Sequence, residues 1–131
     1  MKFLLDTSVV LWSVAERPRL NSRAMRILSL AGSNLYLSAA SVWEIAIKYS
    51  IGRLPLHVEP ELFVSEVHRK MGMRPLDIGH LHAIEAGRLP RHHADPFDRM
   101  LIAQARTEKM VLLTADRIFQ SYEVEQEYCG L

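Results

Sequence analysis

Short apolar runs alternate along the chain with stretches in which apolar residues recur at helical spacing. The run from Lys2 to Leu5, for example, ends at Asp6 and is followed by helical spacing as far as Ala15. Such runs predict strands, and the periodic stretches predict helices. Strands are predicted in residues 2–5, 35–37, 73–78, 110–114 and 122–124, and helices in residues 9–15, 23–31, 39–52, 61–70, 79–86 and 96–109, with a short helix after residue 116.

The order of these elements predicts the fold class. Strands that alternate with helices are typical of an α/β sandwich, here of three layers around a mostly parallel sheet of four or five strands. The run from Met110 to Thr114 is continuously apolar, as expected of a strand buried on both faces of such a sheet. Glycines after the second and fifth predicted helices, Gly32 and Gly87, are expected to end them.

Length and composition limit the classes of protein that remain. At 131 residues we expect one domain, residues 1–131. The net charge of +1 excludes binding of nucleic acid through bulk charge alone. The single cysteine, Cys129, excludes an intramolecular disulfide and multi-cysteine metal sites. No stretch approaches the roughly 20 apolar residues of a membrane span, so we expect a cytoplasmic protein without a membrane partner.

The segment from His93 to Arg99 starts a helix and carries two acids. Asp95 can cap free backbone N–H groups, and Pro96 has the fixed φ that suits the first helical position. Asp98 then lies in the first turn, where the helix dipole favours negative charge. Both carboxylates are therefore able to face one space. Capping alone also explains Asp95, and a solvated first-turn acid is the alternative for Asp98.

Other acids occupy comparable places. Asp6 directly follows the first predicted strand, and Asp116 follows the strand that ends at Thr114. In open α/β sheets, ligands bind outside the carboxyl ends of the strands. Glu44 lies about two turns into the helix after the second strand, in an almost wholly apolar context. Simple helix capping is the alternative for Asp6 and Asp116, and an ion pair with Lys48 is the alternative for Glu44.

Four carboxylates in one cleft predict a metal ion. They repel one another, so their pKa values rise unless a cation compensates. Oxygen ligands select hard cations, which makes Mg²⁺ or Mn²⁺ the expected occupant, as one ion or two. Such a metal activates water and offsets charge on a phosphoryl group. A Gly-rich phosphate loop, a Cys/His zinc pattern and a Gly-x-Ser-x-Gly elbow are missing from the sequence. Metal-assisted phosphodiester hydrolysis remains.

These motifs together resemble a known family. The pieces that carry the resemblance are Leu5-Asp6-Thr7-Ser8, Ser41-Val42-Trp43-Glu44-Ile45, His93-Ala94-Asp95-Pro96-Phe97-Asp98-Arg99 and Thr114-Ala115-Asp116. The chain is similar to PIN domains, and most of all to the ribonuclease toxins of VapBC-type (type II) toxin–antitoxin pairs. Any one piece is weak, but the set is specific and spans nearly the entire chain.

The resemblance implies roles for particular residues. The acidic site, both catalytic and metal-binding, would consist of Asp6, Glu44, Asp98 and Asp116. Thr7 and Thr114 would be accessory groups that hold the carboxylates or the loop between strand and acid. Asp95 stays open between ligand and helix cap. The resemblance also implies a cognate antitoxin, a homodimer and, with the antitoxin, a higher assembly.

Basic, histidine and tryptophan residues give weaker signals. Cations flank the central acidic segment, and these are Arg88, Arg91, His92, His93 and Arg99. They suit a phosphodiester backbone, with Arg99 as a candidate accessory residue, or they form a solvated loop. His80 and His82 cannot share a helix face, so we expect surface or packing roles. We expect Trp12 and Trp43 to pack in the core rather than stack on bases.

The leading hypothesis is a Mg²⁺- or Mn²⁺-dependent endoribonuclease toxin that cleaves RNA and so inhibits translation. Asp6 and Asp98, helped by Glu44 and Asp116, would hold the metal that prepares water for in-line attack on phosphorus. Exposed faces of the helices around residues 9–14 and 42–49 form a candidate groove for an antitoxin helix. The alternatives are a structure-specific DNA nuclease and a PIN module that binds RNA or protein without cutting.

Overall fold

The computed structural model describes residues 1–30 and 34–131. Within this part of the chain a single sheet holds five strands, all parallel, in the order β3-β2-β1-β4-β5. The strands are β1 (Lys2–Leu5), β2 (Asn34–Ser38), β3 (Arg74–Leu76), β4 (Val111–Thr114) and β5 (Gln126–Tyr128). The helices are α1 (Thr7–Ala15), α2 (Ser22–Ser29), α3 (Ala39–Ser50), α4 (Pro60–Met71), α5 (His80–Arg88) and α6 (Pro96–Glu108), with 3₁₀ turns at Arg17–Arg19 and Arg117–Ser121.

Apolar side chains of the two central strands point alternately to the two faces of the sheet. Phe3 and Leu5 of β1 belong to one core, which α1, α2, α3 and α4 cover. Leu4, between them, belongs to a second core under α6 and the 3₁₀ turn after β4. Alternation along a strand has this effect because successive side chains leave opposite faces. The predicted three-layer α/β sandwich with a parallel sheet is therefore confirmed.

The strand order places β1 in the middle of the sheet, between β2 and β4. Phe3 and Leu5 pair with Val111 and Leu113, and the backbone N–H of Asp6 continues the ladder by donating to the Leu113 carbonyl at 2.9 Å. All carboxyl ends meet at one edge because the strands are parallel. The residues that follow β1, β2 and β4 therefore share that edge.

Two predicted boundaries are wrong. Gly87 lies inside α5, which ends only at Arg88, and does not stop the helix. The last strand is β5 rather than residues 122–124, because Tyr122 turns into the protein and its hydroxyl donates to the Pro90 carbonyl at 2.9 Å. The predicted end of the second helix at Ala31 and Gly32 lies outside the described residues.

Other expected features are present. Gly72 ends α4 in the left-handed conformation, with φ of 67°, which a side chain would strain. Cys129 is buried as a free thiol. No helix in the described ranges combines the length and the hydropathy that crossing a bilayer requires.

Candidate active site

Asp6 lies at the carboxyl end of β1 and caps α1. Its Oδ1 accepts from the backbone N–H of Val9 at 2.8 Å. Its Oδ2 accepts from the Thr114 hydroxyl at 2.5 Å and from the Ala115 N–H at 3.2 Å. The residue is 4% exposed. Asp6 is thus both a helix cap and a candidate site residue, and its side chain is fixed by hydrogen bonds from α1 and from the end of β4.

Glu44 faces the same region from α3 and is 6% exposed. Its Oε1 accepts from the Thr7 hydroxyl at 2.7 Å, and the same hydroxyl lies 3.0 Å from Oγ of Ser41. Its Oε2 accepts from Nζ of Lys48 at 2.6 Å, across one turn of the helix. We call Asp6 and Glu44 the inner pair, because both are buried and both oxygens of each accept hydrogen bonds from the protein.

Asp95 and Asp98 stand at the start of α6, as the sequence predicts. Asp95 caps the helix, since its Oδ1 accepts from the backbone N–H of Phe97 at 2.8 Å and of Asp98 at 3.0 Å. The carboxylate of Asp98 points away from the backbone, and its Oδ2 lies 2.8 Å from Nε2 of His93. Helix geometry thus separates the two roles: Asp95 serves the backbone, and Asp98 faces the site.

Asp116 follows β4 and caps the 3₁₀ turn after it. Its Oδ1 accepts from the Ile118 N–H at 3.0 Å, and its own N–H donates to the Thr114 hydroxyl oxygen at 3.0 Å. The side chain is exposed. We call Asp98 and Asp116 the outer pair. Ligand atoms of both, together with one ring nitrogen of His93, lie within 4.8 Å of one another.

The electrostatics connect the inner and outer pairs. The pKa of Asp6 is raised to about 6. Burial is the main cause and the charge of Asp116 a smaller one, while hydrogen bonds from Thr114, Val9 and Ala115 lower the pKa. Burial also raises the pKa of Asp98 to about 6, with added repulsion from Asp95 and Glu44 and a lowering hydrogen bond from His93. The four predicted acids therefore occupy one electrostatically coupled cluster at the carboxyl edge.

The sequence of this chain from residue 3 to residue 125 matches the family described as PIN domain. The chain belongs to the PIN domain family. The resemblance that the motifs carry is thereby confirmed for nearly the whole chain.

Relatives of this PIN domain are found among toxin–antitoxin proteins. A segment of 69 residues is 38% identical to ribonuclease VapC16 of Mycobacterium tuberculosis, and the match spans 50% of this chain and 49% of that protein, about half the length of each. Solved structures share the fold at low identity. VapBC2 from Rickettsia felis, bound to a promoter DNA fragment, aligns with a TM-score of 0.75, 13% identity and coverage of 99% of this chain and 100% of that one. VapBC-1 from nontypeable Haemophilus influenzae aligns with a TM-score of 0.69, 18% identity and 98% coverage of both chains.

Arg99 of this PIN domain is not the free cation that its place beside the acids suggested. It is 8% exposed, and its guanidinium donates inward to backbone carbonyls. The acceptors are the carbonyl oxygens of Ala86, Leu89, Pro90 and His93, at 2.9 to 3.3 Å. Arg99 therefore fixes the segment between α5 and α6, and a phosphate has no access to its charge.

Trp43 also departs from expectation. It is 61% exposed and meets Phe97 edge to face, with 5.2 Å between the ring centroids. Two further apolar residues are exposed on the same side: Ile47, one turn away in α3, and Ile51, which follows the end of α3. The prediction that Trp43 packs in the core is wrong, whereas Trp12 does pack against the core.

His82 and His93 have different surroundings. His82 is buried, accepts the Gly79 N–H at 3.0 Å and lies 3.2 Å from Oε2 of Glu108, which confirms a packing role. His93 contacts Asp98, a position that the sequence treated only as part of a basic loop. The sequence could not predict this contact from helical spacing, because His93 lies before the start of α6. Only the folded loop brings the two side chains together.

Proposed function

We propose that this PIN domain is a divalent-metal-dependent endoribonuclease that acts as the toxin of a toxin–antitoxin pair. The observation that carries the proposal is the cluster of four acids at the carboxyl edge of the sheet, two of them with a pKa raised to about 6. A fold that gathers repelling carboxylates needs a cation to offset them. The ribonuclease name of the curated relative supports RNA as the substrate.

The donor set fits a small divalent ion. The outer pair, Asp98 and Asp116, offers carboxylate oxygens at the exposed side of the cluster. Hard oxygen ligands favour Mg²⁺ or Mn²⁺. The inner pair is more deeply buried, its carboxylate oxygens already accept hydrogen bonds from the protein, and it contributes negative charge. When bound, the ion supplies Lewis acidity toward water and the phosphoryl group.

The residues of the chain position the reaction. Thr7 and Thr114 each donate a hydroxyl hydrogen to an inner carboxylate, which keeps Glu44 and Asp6 oriented. Nζ of Lys48 is held on Oε2 of Glu44, and its side chain is 47% exposed. Its charge at the mouth of the site suits a phosphodiester oxygen of the substrate. The chain thus places one partly exposed lysine beside the buried carboxylates.

An antitoxin partner and a homodimer belong to the same proposal. The VapBC complexes share the fold of this chain. The exposed stripe of Trp43 and Ile47 on α3 and of Ile51 just after it is an apolar face of the kind that takes part in protein contacts. Cleavage of RNA in the cytoplasm would inhibit translation, and the antitoxin would restrain it.

Cleavage of total RNA by purified, antitoxin-free protein tests the activity. We expect discrete products with Mg²⁺ or Mn²⁺, none with EDTA, and none from Asp6→Asn or Asp98→Asn. Asp77→Asn is the matched control, because Asp77 is exposed and is not one of the four acids. A parallel single-stranded and duplex DNA arm separates a DNA nuclease from a ribonuclease.

Growth after induced expression tests the toxin role. We expect arrest and loss of amino-acid incorporation with the wild type and with Asp77→Asn, but not with Asp98→Asn. Folded protein that cuts neither nucleic acid and arrests nothing would leave a non-catalytic binding module as the better description.

A further inference from the structure

His93 is the one nitrogen donor in the group of described residues whose ligand atoms converge, and the function proposed above gives it no role. Its Nε2 lies 2.8 Å from Oδ2 of Asp98, and ligand atoms of His93, Asp98 and Asp116 all lie within 4.8 Å of one another. Two ligands of one small divalent ion lie at most about 4 to 5 Å apart, because each bond is about 2.0 to 2.6 Å long. The three side chains are therefore spaced for a single ion.

The backbone of His93 is fixed although it lies in a loop. Its N–H donates to the hydroxyl oxygen of Tyr122 at 2.9 Å, and its carbonyl accepts from Arg99 at 3.3 Å. The Tyr122 hydroxyl in turn donates to the Pro90 carbonyl at 2.9 Å. Both Tyr122 and Arg99 are buried. The ring of His93 thus starts from a held position, as a binding group needs.

The buried guanidinium of Arg99 also holds this loop in place. A buried guanidinium gives up its hydration, which is expensive even when every N–H finds an acceptor. Arg99 donates hydrogen bonds to four carbonyl oxygens of one short segment, which ends at His93. These hydrogen bonds therefore keep the backbone of His93 in position beside Asp98.

We propose that His93 is a ligand of the divalent cation, and that its imidazole nitrogen, beside the carboxylates of Asp98 and Asp116, makes the site favour Mn²⁺ over Mg²⁺. The inference rests on the metal-dependent nuclease proposed above and deepens it.

The chemistry of the ligands gives the direction of the preference. Mg²⁺ takes oxygen ligands almost exclusively and keeps much of its water, whereas imidazole suits first-row transition ions. Neutral imidazole binds a metal through the nitrogen that has no hydrogen. Nε2 is the ring nitrogen that lies beside the Asp98 carboxylate. A neutral ring that held an ion through Nε2 would carry its hydrogen on Nδ1.

Electron spin-echo envelope modulation of bound Mn²⁺ tests the inference directly. We expect modulation from a coordinated ¹⁴N nucleus in the wild type, its loss in His93→Gln, and its retention in His80→Gln. Glutamine keeps a hydrogen-bonding group for Asp98 but has no imidazole, and His80 is an exposed histidine at the start of α5. Calorimetric titration should show the preference for Mn²⁺ over Mg²⁺ falling by about tenfold or more in His93→Gln alone.

The possible outcomes separate this inference from the proposed function. Mn²⁺ that binds without nitrogen modulation, or with modulation that survives His93→Gln, overturns the role of His93 as a ligand and leaves it as a group that orients Asp98. RNA cleavage that persists in EDTA, from protein that binds no Mn²⁺, overturns the metal-dependent nuclease itself. An unchanged thermal unfolding midpoint of His93→Gln shows that the loss of signal does not come from unfolding.

Discussion

The inner and outer pairs of acids are built in different ways. Asp6 and Glu44 are buried, and each accepts hydrogen bonds on both carboxylate oxygens from the protein itself. Asp98 and Asp116 lie nearer to solvent, and one oxygen of each accepts a hydrogen bond from a neighbouring group. The inner pair is therefore tied into the fold through both oxygens of each carboxylate, whereas the outer pair is less tightly held.

The largest expected effect separates the two pairs by activity and stability together. Asp98→Asn and Asp6→Asn should each lower RNA cleavage by about 100-fold or more, the equivalent of several kcal/mol of transition-state stabilisation. Asp6→Asn should be less stable than Asp98→Asn by about 1 to 3 kcal/mol. Both variants remove a carboxylate whose pKa the fold raises to about 6, but only in Asp6→Asn does an amide N–H₂ then face the Ala115 N–H. Urea unfolding at neutral pH measures the difference. Equal loss of stability in both variants would contradict the division into two pairs.

The next effect concerns the support of the outer pair. Arg99→Met should lower the free energy of unfolding by about 3 to 5 kcal/mol, because four carbonyls lose a buried charged donor. Arg88→Met, which removes an exposed ion pair with Glu85, should cost less than about 1 kcal/mol. Chemical denaturation of both variants checks the contrast. A small effect at Arg99 would show that the loop before α6 holds itself in place.

The pH dependence of stability gives a third comparison. The pKa of Asp98 is raised from 3.8 to about 6 in the folded chain, so the folded state binds this proton more tightly than the unfolded state. Its contribution is most favourable below the unfolded pKa, falls as pH rises through the window from 3.8 to about 6, and stays unfavourable above it. The full change is at most about 3 kcal/mol.

Metal-free wild type and Asp98→Asn, unfolded with urea from about pH 4 to pH 7, measure this contribution. The stability of the wild type relative to the variant should decline with rising pH, and saturating Mn²⁺ should restore it at pH 7. A difference that does not change with pH would mean that Asp98 is ionised throughout.

The smallest effect lies within the inner pair. Lys48→Met should change stability by less than about 1 kcal/mol, since the lysine side chain is about half exposed and water replaces its contact with Glu44. Thr7→Val removes a buried hydrogen bond to the same carboxylate and should cost about 1 to 3 kcal/mol. Thermal unfolding of the two variants ranks them. The reverse order would make the exposed lysine the main support of Glu44.

The places of Asp6 and Asp116 could be predicted from the sequence because a general rule fixes them. Side chains that follow parallel strands meet at one edge, so Asp6 and Asp116 could be assigned from the strand pattern alone. The structural roles that the sequence left open are also present. Asp6 and Asp116 are helix caps, and Glu44 pairs with Lys48. Capping uses one oxygen of each carboxylate. The other oxygen of Asp6 accepts from Thr114 and Ala115, whereas Asp116 is exposed.

Features that depend on packing between distant segments could not be predicted. The direction of the Arg99 side chain is set by the fold of residues 86–93, and no local pattern encodes that loop. Trp43 lies in an apolar run whose exposed side is visible only once α3 is placed on the sheet. The last strand was misplaced because the apolar character of Tyr122 serves the core rather than a strand.

The hydrogen bond between Thr114 and Asp6 joins residues that are 108 positions apart in the sequence. During synthesis, the first strand leaves the ribosome long before its partner β4 exists. A growing chain therefore lacks a complete acidic cluster until residue 116 has emerged, since long-range pairing of this kind waits for the later segment. The site proposed above is therefore incomplete until nearly the whole of these 131 residues has been translated.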